Sequence, residues 1–483
     1  MDRLIEQIDY NTFQLLAENA SMVPVYVRLG SDFYTPQMVF LRFRQQGQAA
    51  FLFESAIRGE EVGRYSFVGI APQTLLTYPN PTKPFAFFQH LNQLLENSRM
   101  PSLPHLPPLT GGWIGYIGYD LIREIEHLPS PPTDNTGIPL ALLGLFTRVV
   151  AFDHLKNEIW LIHTTSFPSN CSLKTTYHTA MDVLQQMHEQ IQLAPYQLAS
   201  FQAQVQLTEG NFTQESFEKA VKQAREFIYA GDAFQVVLSQ RFRIPYQGDS
   251  FQIYRALRSL NPSPYMFYLQ FPELSLIGAS PEMLVRQHNN TVQVVPIAGT
   301  RWRGHTPEED EIIAQELLAD PKENAEHMML VDLARNDVGR ISRPGSIQVK
   351  DFRTVERYSH VMHIISRVYG TIAPGFSAVD TFQAVFPAGT VSGAPKVRAM
   401  EIIDELEPEQ RNFYAGSVGY FNLTGEMDHC IAIRTILAHN QTLHLQAGAG
   451  IVADSDPTRE FHETLNKIKA LQKAIELANG AIK

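Results

Sequence analysis

Residues 320–327 read Asp320-Pro321-Lys322-Glu323-Asn324-Ala325-Glu326-His327, and the apolar run Met328–Ala334 follows at once. Asp320 is a typical N-cap, Pro321 is a favoured first helical residue, and Glu323 occupies the third helical position. A helix that is apolar nearly all round is usually buried. We therefore predict a buried helix that begins at Pro321.

Two carboxylates on this helix indicate a cation site. Glu323 and Glu326 lie three residues apart, so they share one face of a helix that enters the protein interior, where unpaired charge is costly. Carboxylates with few His and Cys nearby favour a hard ion, and Mg2+ shared with an anionic substrate fits better than a cage of protein ligands alone. A plainer alternative is that Glu323 only completes a capping box.

A second acidic helix near the C-terminus repeats the pattern. Asp456 is a suitable N-cap with Pro457 behind it, and Glu460 and Glu463 again lie three residues apart. Lys467 follows Glu463 by one turn, so an ordinary exposed i,i+4 ion pair also explains this spacing. Spacing alone does not decide between metal ligands and surface interactions.

Composition and charge limit the class of protein. The chain has 483 residues, which favours two large lobes, and its formal net charge of -11 argues against a nucleic-acid partner. Cys171 and Cys430 provide neither a disulfide framework nor a zinc cluster. Met1–Glu6 lacks the apolar core of a leader, and no segment reaches the roughly 20 apolar residues of a membrane span. A cytoplasmic protein without a membrane partner is expected.

The order of patterns predicts two domains of mixed structure. Residues 1–200 form the first, with strand patterns such as those at 48–54 and 65–70. The polar, glutamine-rich segment 192–211 marks the boundary. Residues 212–478 form the second, where strands come in adjacent pairs rather than in a strict βαβ series. This favours an α+β fold with mostly antiparallel sheets.

Glycine-rich segments recur along the chain. Residues 296–300, 386–396 and 447–450 match no nucleotide-binding fingerprint, because the second lacks the Gly-Lys-Ser/Thr ending of a P-loop and no helix follows the third. We expect each to be a loop, and successive backbone amides in such turns can hold a carboxylate. Residues 111–119 mix glycine with apolar bulk, which predicts closely packed backbone with a structural role.

Several segments, in this order, resemble a known family. They are Pro296–Thr300, Glu323–Asp337, Arg357–His363, and Gly448–Gly450 with Glu463–Lys467. The chain is similar to the chorismate-utilising enzymes, and within them to the anthranilate synthase component I family. The resemblance covers nearly the whole chain and is weaker in the first domain. It implies a two-lobed α+β fold in which mostly antiparallel sheets pack as a sandwich with helices outside.

The resemblance implies a Mg2+ site and a substrate site. Glu326 and Glu463 match the family's Mg2+ ligands, and Glu323 and Glu460 match the partners that hold metal-bound water. The metal would neutralise one carboxylate of chorismate, and the fork of Arg434 suits a carboxylate. The residues that match substrate-binding positions are Gly299, Thr300, Tyr414, Arg434, Gly448, Ala449, Gly450 and Lys467.

Three residues match positions that act in the chemical steps. His363 corresponds to the histidine that assists departure of groups from the ring. Thr300, which with Gly299 matches a further substrate contact, is also expected to be catalytic. Glu282 corresponds to the general acid near the C4 hydroxyl. A lone histidine in a strand is more often a satisfied core residue, and only the motif around His363 favours the catalytic role.

Two positions distinguish members of the family. Members that add water to chorismate carry a lysine base where this chain has Gln235, and an amide cannot take a proton from water. Aminodeoxychorismate synthases carry a nucleophilic lysine where this chain has Ala298. The resemblance therefore implies amination at C2, loss of the C4 hydroxyl and release of pyruvate to give anthranilate. The alternatives are an aminodeoxychorismate synthase component and a catalytically silent ligand-binding subunit.

The resemblance also implies a partner and an inhibitor. The chain contains no Gly-x-Cys-x-Gly elbow for glutamine hydrolysis, so a separate glutamine amidotransferase subunit is implied. The family's tryptophan-binding regulatory motif is matched by Phe51–Ala56, with phenylalanine at two of its positions. A second regulatory segment, Asn261–Tyr268, contains two prolines that hold the backbone extended. The residues predicted to contact tryptophan are Ser55, Pro264, Tyr265 and Met266.

Overall fold

Backbone pairing in the computed structural model arranges the chain into two large sheets with helices packed against them. The structure describes residues 4–480 other than 31–32, 46, 56–62, 79–85, 130, 168–170, 195–197, 208 and 359–360. Ala56 of the predicted regulatory motif and Ser359 and His360 of the family motif lie outside the described residues. No helix in the described part of the chain is both long and apolar enough to cross a membrane.

The strands in chain order are β1 Leu4–Gln7, β2 Met22–Gly30, β3 Ala50–Glu54, β4 Tyr65–Ile70, β5 Leu75–Tyr78, β6 Gly112–Ile117, β7 Ala141–Phe146, β8 Arg148–Asp153, β9 Glu158–Ser166, β10 Phe201–Ala203, β11 Glu209–Gly210, β12 Gln235–Gly248, β13 Tyr265–Gln270, β14 Leu274–Ser280, β15 Met283–His288, β16 Thr291–Val294, β17 Ile297–Trp302, β18 Gln348–Arg357, β19 Val361–Thr371, β20 Gly393–Ala394, β21 Ser417–Asn422, β22 Met427–Ile431, β23 Thr435–His439 and β24 Thr442–Ile451.

The helices are α1 Tyr10–Ala17, α2 Pro36–Phe43, α3 Phe87–Asn97, α4 Leu173–Gln192, α5 Gln214–Tyr229, α6 Phe251–Leu260, α7 Pro307–Ala319, α8 Pro321–Gly339, α9 Ala378–Val385, α10 Gly389–Ser392, α11 Lys396–Leu406 and α12 Pro457–Gly480. A short 3-10 helix covers Tyr119–Glu124.

The first sheet has the strand order β1-β2-β9-β8-β4-β3-β13-β14-β23-β24-β12-β10, with β11 and β20 also paired to β12. The second has the order β17-β19-β16-β15-β22-β21-β6-β7-β5, with β18 paired to β19. The strands pair antiparallel. The predicted α+β fold with antiparallel sheets is therefore confirmed.

Both sheets take strands from either side of the predicted domain boundary. In the first sheet β3 pairs with β13, which places Phe53 opposite Phe267. In the second sheet β6 pairs with β21, which places Gly115 opposite Gly419. The division into residues 1–200 and 212–478 stays a prediction.

An apolar core fills the space between the two sheets. Phe51 of β3 contacts Phe146 of β7 edge to face, with ring centroids 4.9 Å apart. Close backbone packing, predicted for residues 111–119, is confirmed at Gly115, where an added Cβ would lie 2.0 Å from the Leu142 carbonyl oxygen. Only glycine permits this approach of β6 to β7.

Both predicted helix starts are confirmed. Asp320 caps α8, because its carboxylate accepts from the amides of Lys322 and Glu323 at 2.9 and 3.2 Å. Asp456 caps α12 in the same way and accepts from the Arg459 amide at 2.9 Å. Local capping chemistry is thus sufficient to predict where each helix begins.

Two other predictions are corrected. Helix α8 is not buried all round, because only one face packs against β17 and β19, and Met328 on another face is 40% exposed. The three glycine-rich segments are not simply loops, because residues 447–450 lie within β24, residues 297–300 lie within β17, and residues 389–392 form α10. A small residue is needed in β24 for close packing, since a Cβ on Gly448 would lie 2.9 Å from the Leu238 carbonyl oxygen of β12.

Candidate active site

The end of β24 forms one wall of the candidate site. Strand β24 pairs with β12 as far as Ile451, whereas its pairing with β23 ends at Leu445. Among the residues that the structure describes, the segment 446–451 therefore has a neighbouring strand on one side only, and we call this segment the open edge. Backbone groups that point to that side are not used by the sheet.

Predicted substrate residues surround the open edge. The Gly448 carbonyl accepts from Lys467 Nζ at 2.8 Å, and the Gly448 amide lies beside the Tyr414 hydroxyl. Both backbone groups of Gly448 thus point away from β12, and alternation along the strand gives Gly450 the same direction. Ala449 lies between them with its side chain fully buried, and its backbone faces β12. Its predicted contact with substrate stays a prediction.

The Glu282 carboxyl and the Arg434 guanidinium form a second part of the candidate site. Burial raises the pKa of Glu282 to about 7, while the Thr390 hydroxyl and the Arg434 guanidinium oppose that rise. Arg434 has a φ of 48°, and its carbonyl accepts from the Ala279 amide at 3.2 Å. Glu282 can therefore donate a proton near neutral pH, beside a cation suited to a carboxylate.

A histidine completes this group. The pairing of β17 with β19 places Thr300 opposite His363, and a bulge next to them contains Gly299 with a φ of 62°. His363 Nδ1 lies 2.9 Å from the Gly299 carbonyl oxygen and 3.1 Å from Thr300 Oγ1. Since a carbonyl only accepts, Nδ1 carries the proton and Nε2 is the acceptor in the neutral ring.

The charge of Arg434 affects the pKa of both Glu282 and His363. Burial lowers the pKa of His363, and the charge of Arg434 lowers it further, against the opposing effect of the Gly299 carbonyl. The same guanidinium opposes the rise in the pKa of Glu282. Both groups therefore lie within electrostatic reach of Arg434, so the site combines an acid that can be protonated near neutral pH, a neutral base and a cation that acts on both.

The carboxylates of α8 and α12 face a shared pair of lysines. Burial raises the pKa of Glu326, and Glu323 raises it further, while Lys322 and Lys467 oppose the rise. Burial likewise raises the pKa of Glu460, against the Ser455 hydroxyl and the same two lysines. One set of cations thus acts on both helices. The predicted convergence of these two helices is consistent with that arrangement.

Each of these four carboxylates has a polar partner, and the partner of Glu460 is the Ser455 hydroxyl. Glu326 accepts from the Gln235 amide at 3.3 Å, Glu323 accepts from Arg301 at 2.9 Å, and Glu463 pairs with Lys467 at 2.8 Å. Glu463 and Lys467 are about half exposed, as in the ion-pair alternative.

Within the described ranges, no three His, Cys, Asp or Glu side chains are close enough together to hold a metal ion. The donor set is nevertheless chemically suitable, because its carboxylates repel one another in two pairs, Glu323 with Glu326 and Glu463 with Glu460, and such oxygens favour a hard divalent cation. The Mg2+ assignment for Glu326, Glu463, Glu323 and Glu460 stays a prediction.

A separate cavity of about 650 Å³ lies between the two sheets. The four predicted regulatory residues, Ser55, Pro264, Tyr265 and Met266, all line it. Its walls come from β3, β4 and β13 of the first sheet and from β15, β16, β21 and β22 of the second. None of the predicted catalytic, substrate or metal residues lines it. The structure thus brings the regulatory residues together, away from the open edge.

The carboxylates around this cavity are already engaged. Asp428 accepts from the Tyr265 hydroxyl at 2.9 Å and pairs with Arg286 at 2.8 Å. Glu54 accepts from the Gln37 amide at 2.6 Å, and Glu426 lies 2.8 Å from a ring nitrogen of His288. Each of these three carboxylates therefore already has a cationic or hydrogen-bonding partner.

Comparison with known proteins identifies the family. The sequence profile described as chorismate binding enzyme matches residues 48–473. The chain belongs to this family. Anthranilate synthase component 1 from Cereibacter sphaeroides is 44% identical over 470 residues, which are 94% of each chain. The protein of that name from Aquifex aeolicus is 44% identical over 478 residues, which are 96% of each chain.

A solved structure agrees with these relatives. Anthranilate synthase component I from Streptococcus pneumoniae is 36% identical, has a TM-score of 0.74, and is matched over 92% of this chain and 98% of its own. The resemblance to the anthranilate synthase component I branch of the chorismate binding enzymes, drawn above from motifs, is confirmed.

Two residues of this chorismate binding enzyme were missed in the sequence. Thr390 affects Glu282, and Arg301 holds Glu323. Both stand within or beside motifs quoted above, Thr390 in the glycine-rich segment 386–396 and Arg301 directly after Thr300. Their partners lie 108 and 22 residues away, so local patterns do not reveal the contacts.

Proposed function

We propose that the chain is the aminating component of an anthranilate synthase, which converts chorismate and ammonia into anthranilate, pyruvate and water with Mg2+. The observation that carries this proposal is the group formed by Glu282, Arg434 and His363, next to helix α10, which carries Thr390 and contacts β24. Relatives at 44% identity named anthranilate synthase component 1 support the choice of reaction.

Each member of the group has a task in this reaction. The Arg434 fork binds a substrate carboxylate, together with Tyr414, Lys467 and the backbone of Gly448 and Gly450. Glu282, protonated near neutral pH, donates to the C4 hydroxyl, which leaves as water when ammonia adds at C2. The ammonium formed at C2 returns a proton to the Glu282 carboxylate. Neutral His363 then accepts the C2 ring proton at Nε2 while the C3–O bond breaks, and the enolate that leaves takes up that proton to become pyruvate.

The acidic helices would hold the metal. Glu326 and Glu463 are the proposed direct ligands, with Glu323 and Glu460 holding metal-bound water. Mg2+ supplies neutralisation of a substrate carboxylate when it is bound. Release of Glu323 from Arg301 and of Glu463 from Lys467 would free these oxygens, since both ion pairs are only partly buried.

Two residues favour ammonia over other nucleophiles. Gln235 has an amide that already donates to Glu326, so it cannot act as a base for water. Ala298 is 7% exposed and offers no nucleophile, which disfavours aminodeoxychorismate synthase. The name component 1 implies a second component, and we assign that role to a glutamine amidotransferase that supplies the ammonia.

Tryptophan is the proposed inhibitor in the cavity between the sheets. Its indole ring fits beside Met266 and Tyr265, while its ammonium and carboxylate meet backbone groups near Ser55 and Pro264. Inhibition requires that tryptophan binds one arrangement of the protein better than another.

The deciding experiment is incubation of the purified chain with chorismate, Mg2+ and ammonium, followed by anthranilate fluorescence. Reactions without ammonium and reactions with a chelator serve as controls. Anthranilate formation in the full mixture alone is expected. Accumulation of an aminated intermediate without anthranilate would favour the aminodeoxychorismate synthase alternative, and absence of any turnover would favour a silent ligand-binding subunit.

A further inference from the structure

Arg411 is a fully buried cation at the back of the candidate site, with 1% of its surface exposed. Its Nε and one terminal nitrogen donate to Glu407 at 2.9 and 2.5 Å. The two terminal nitrogens also donate to backbone carbonyls, that of Val391 at 2.7 Å and that of Val237 at 2.6 Å. The charge lies 5.8 Å from the ring centroid of Tyr414.

The partners of Arg411 belong to three different walls of the site. Val237 lies in β12 directly opposite Gly450 of the open edge. Val391 follows Thr390, the residue whose hydroxyl affects Glu282. The Tyr414 hydroxyl lies beside the Gly448 amide. A single guanidinium thus fixes one segment behind each of these groups, without facing the substrate itself.

Stability alone is a weak explanation for this arrangement. Buried ion pairs contribute little on average, because apolar replacements of similar volume are often neutral or stabilising. The planar fork matters instead, since it can hold a bidentate carboxylate and two carbonyls in fixed directions. A lysine has a point charge and cannot reproduce that geometry.

We propose that Arg411 is a positioning residue, which fixes the ring of Tyr414, the backbone behind Gly450 and the turn that carries Thr390 in one arrangement. This inference rests on the proposed function, because it is read out as chorismate turnover. Loss of the fork moves three binding elements at once. Loss of the fork is therefore expected to raise the KM for chorismate by more than the accompanying loss of thermal stability would explain.

The test is steady-state kinetics of Arg411→Lys with chorismate, Mg2+ and ammonium, combined with thermal unfolding. Arg44→Lys is the matched control, because Arg44 is also a buried cation, pairs with Asp249 at 2.8 Å and contacts the rings of Phe251 and Tyr268. Arg411→Lys is expected to raise KM by about tenfold or more, equivalent to about 1.4 kcal/mol of binding. The control is expected to lose thermal stability with KM unchanged.

Two results would overturn this inference. One is a folded Arg411→Lys protein whose KM and kcat stay within about twofold of the parent. The other is an equal rise of KM in Arg44→Lys, which would show a general effect of lost stability. If Arg411→Lys does not fold, Glu407→Gln decides, because it keeps the shape and weakens the hold on the guanidinium; unchanged KM there overturns the inference. A parent that makes no anthranilate overturns the proposed function, and an active parent with unchanged variants overturns this inference alone.

Discussion

The titration of Glu282 provides the sharpest test of the proposed chemistry. Burial raises the pKa of this carboxyl to about 7, and the proposed role requires the protonated form. Raising the pH through 7 should therefore remove the acid and lower the rate. Substitution Glu282→Gln removes the proton donor at every pH and should eliminate this dependence.

The size of the effect follows from the pKa. Each pH unit above the pKa lowers the protonated fraction about tenfold, so kcat/KM should fall about tenfold between pH 8 and pH 9. The loss in Glu282→Gln should be about 10²-fold to 10⁴-fold at pH 7, the usual contribution of general acid catalysis. Since the Thr390 hydroxyl lowers the pKa of Glu282, Thr390→Val should shift the fall in kcat/KM to higher pH.

Anthranilate fluorescence at a fixed concentration of free NH3 is the appropriate assay. Total ammonium has to be adjusted at each pH, because the supply of the nucleophile would otherwise rise with pH and hide the loss of the acid. The quantity to plot is kcat/KM for chorismate, which reports the groups of the free enzyme. A constant kcat/KM between pH 7 and pH 9, or normal activity of Glu282→Gln, would refute the assignment.

Three further predictions concern the metal, the nitrogen source and the inhibitor. Glu326→Gln and Glu463→Gln should each abolish turnover at any practical Mg2+ concentration without changing thermal unfolding, and near-normal activity of both would contradict the metal assignment. The purified chain should make anthranilate from ammonium but not from glutamine until a partner is added; glutamine-dependent activity of the chain alone would exclude a separate glutaminase. Ser55→Phe and Met266→Thr should weaken inhibition by tryptophan in the same assay, and the regulatory assignment fails if the parent is insensitive at millimolar tryptophan or both variants remain fully sensitive.

Local chemistry explains what the sequence predicts well. The starts of α8 and α12 depend on Asp320 and Asp456, whose capping partners lie within three residues, so the pattern alone suffices. The burial of α8 depends on β17 and β19, and the exposed Met328 shows why apolar composition does not determine which face is covered.

Contacts between distant segments required either the family resemblance or the structure. Thr300 and His363 are 63 residues apart, and only the motifs linked them before their hydrogen-bond distance was known. Arg411 left no signal, because two of its partners are backbone carbonyls, which every residue type provides. The strand at residues 447–450 was missed because glycine usually weakens strands, whereas here close approach requires it.

Pairing between strands that are far apart in the sequence affects how the chain folds while the ribosome makes it. Strand β6 pairs with β21, so Ile117 waits for Ser417, which is made 300 residues later. At about 5–20 residues per second, that interval lasts roughly 15–60 s. An unpaired strand edge is a template for association with other chains. The nascent N-terminal part is therefore expected to depend on chaperones until the last third of the chain has emerged.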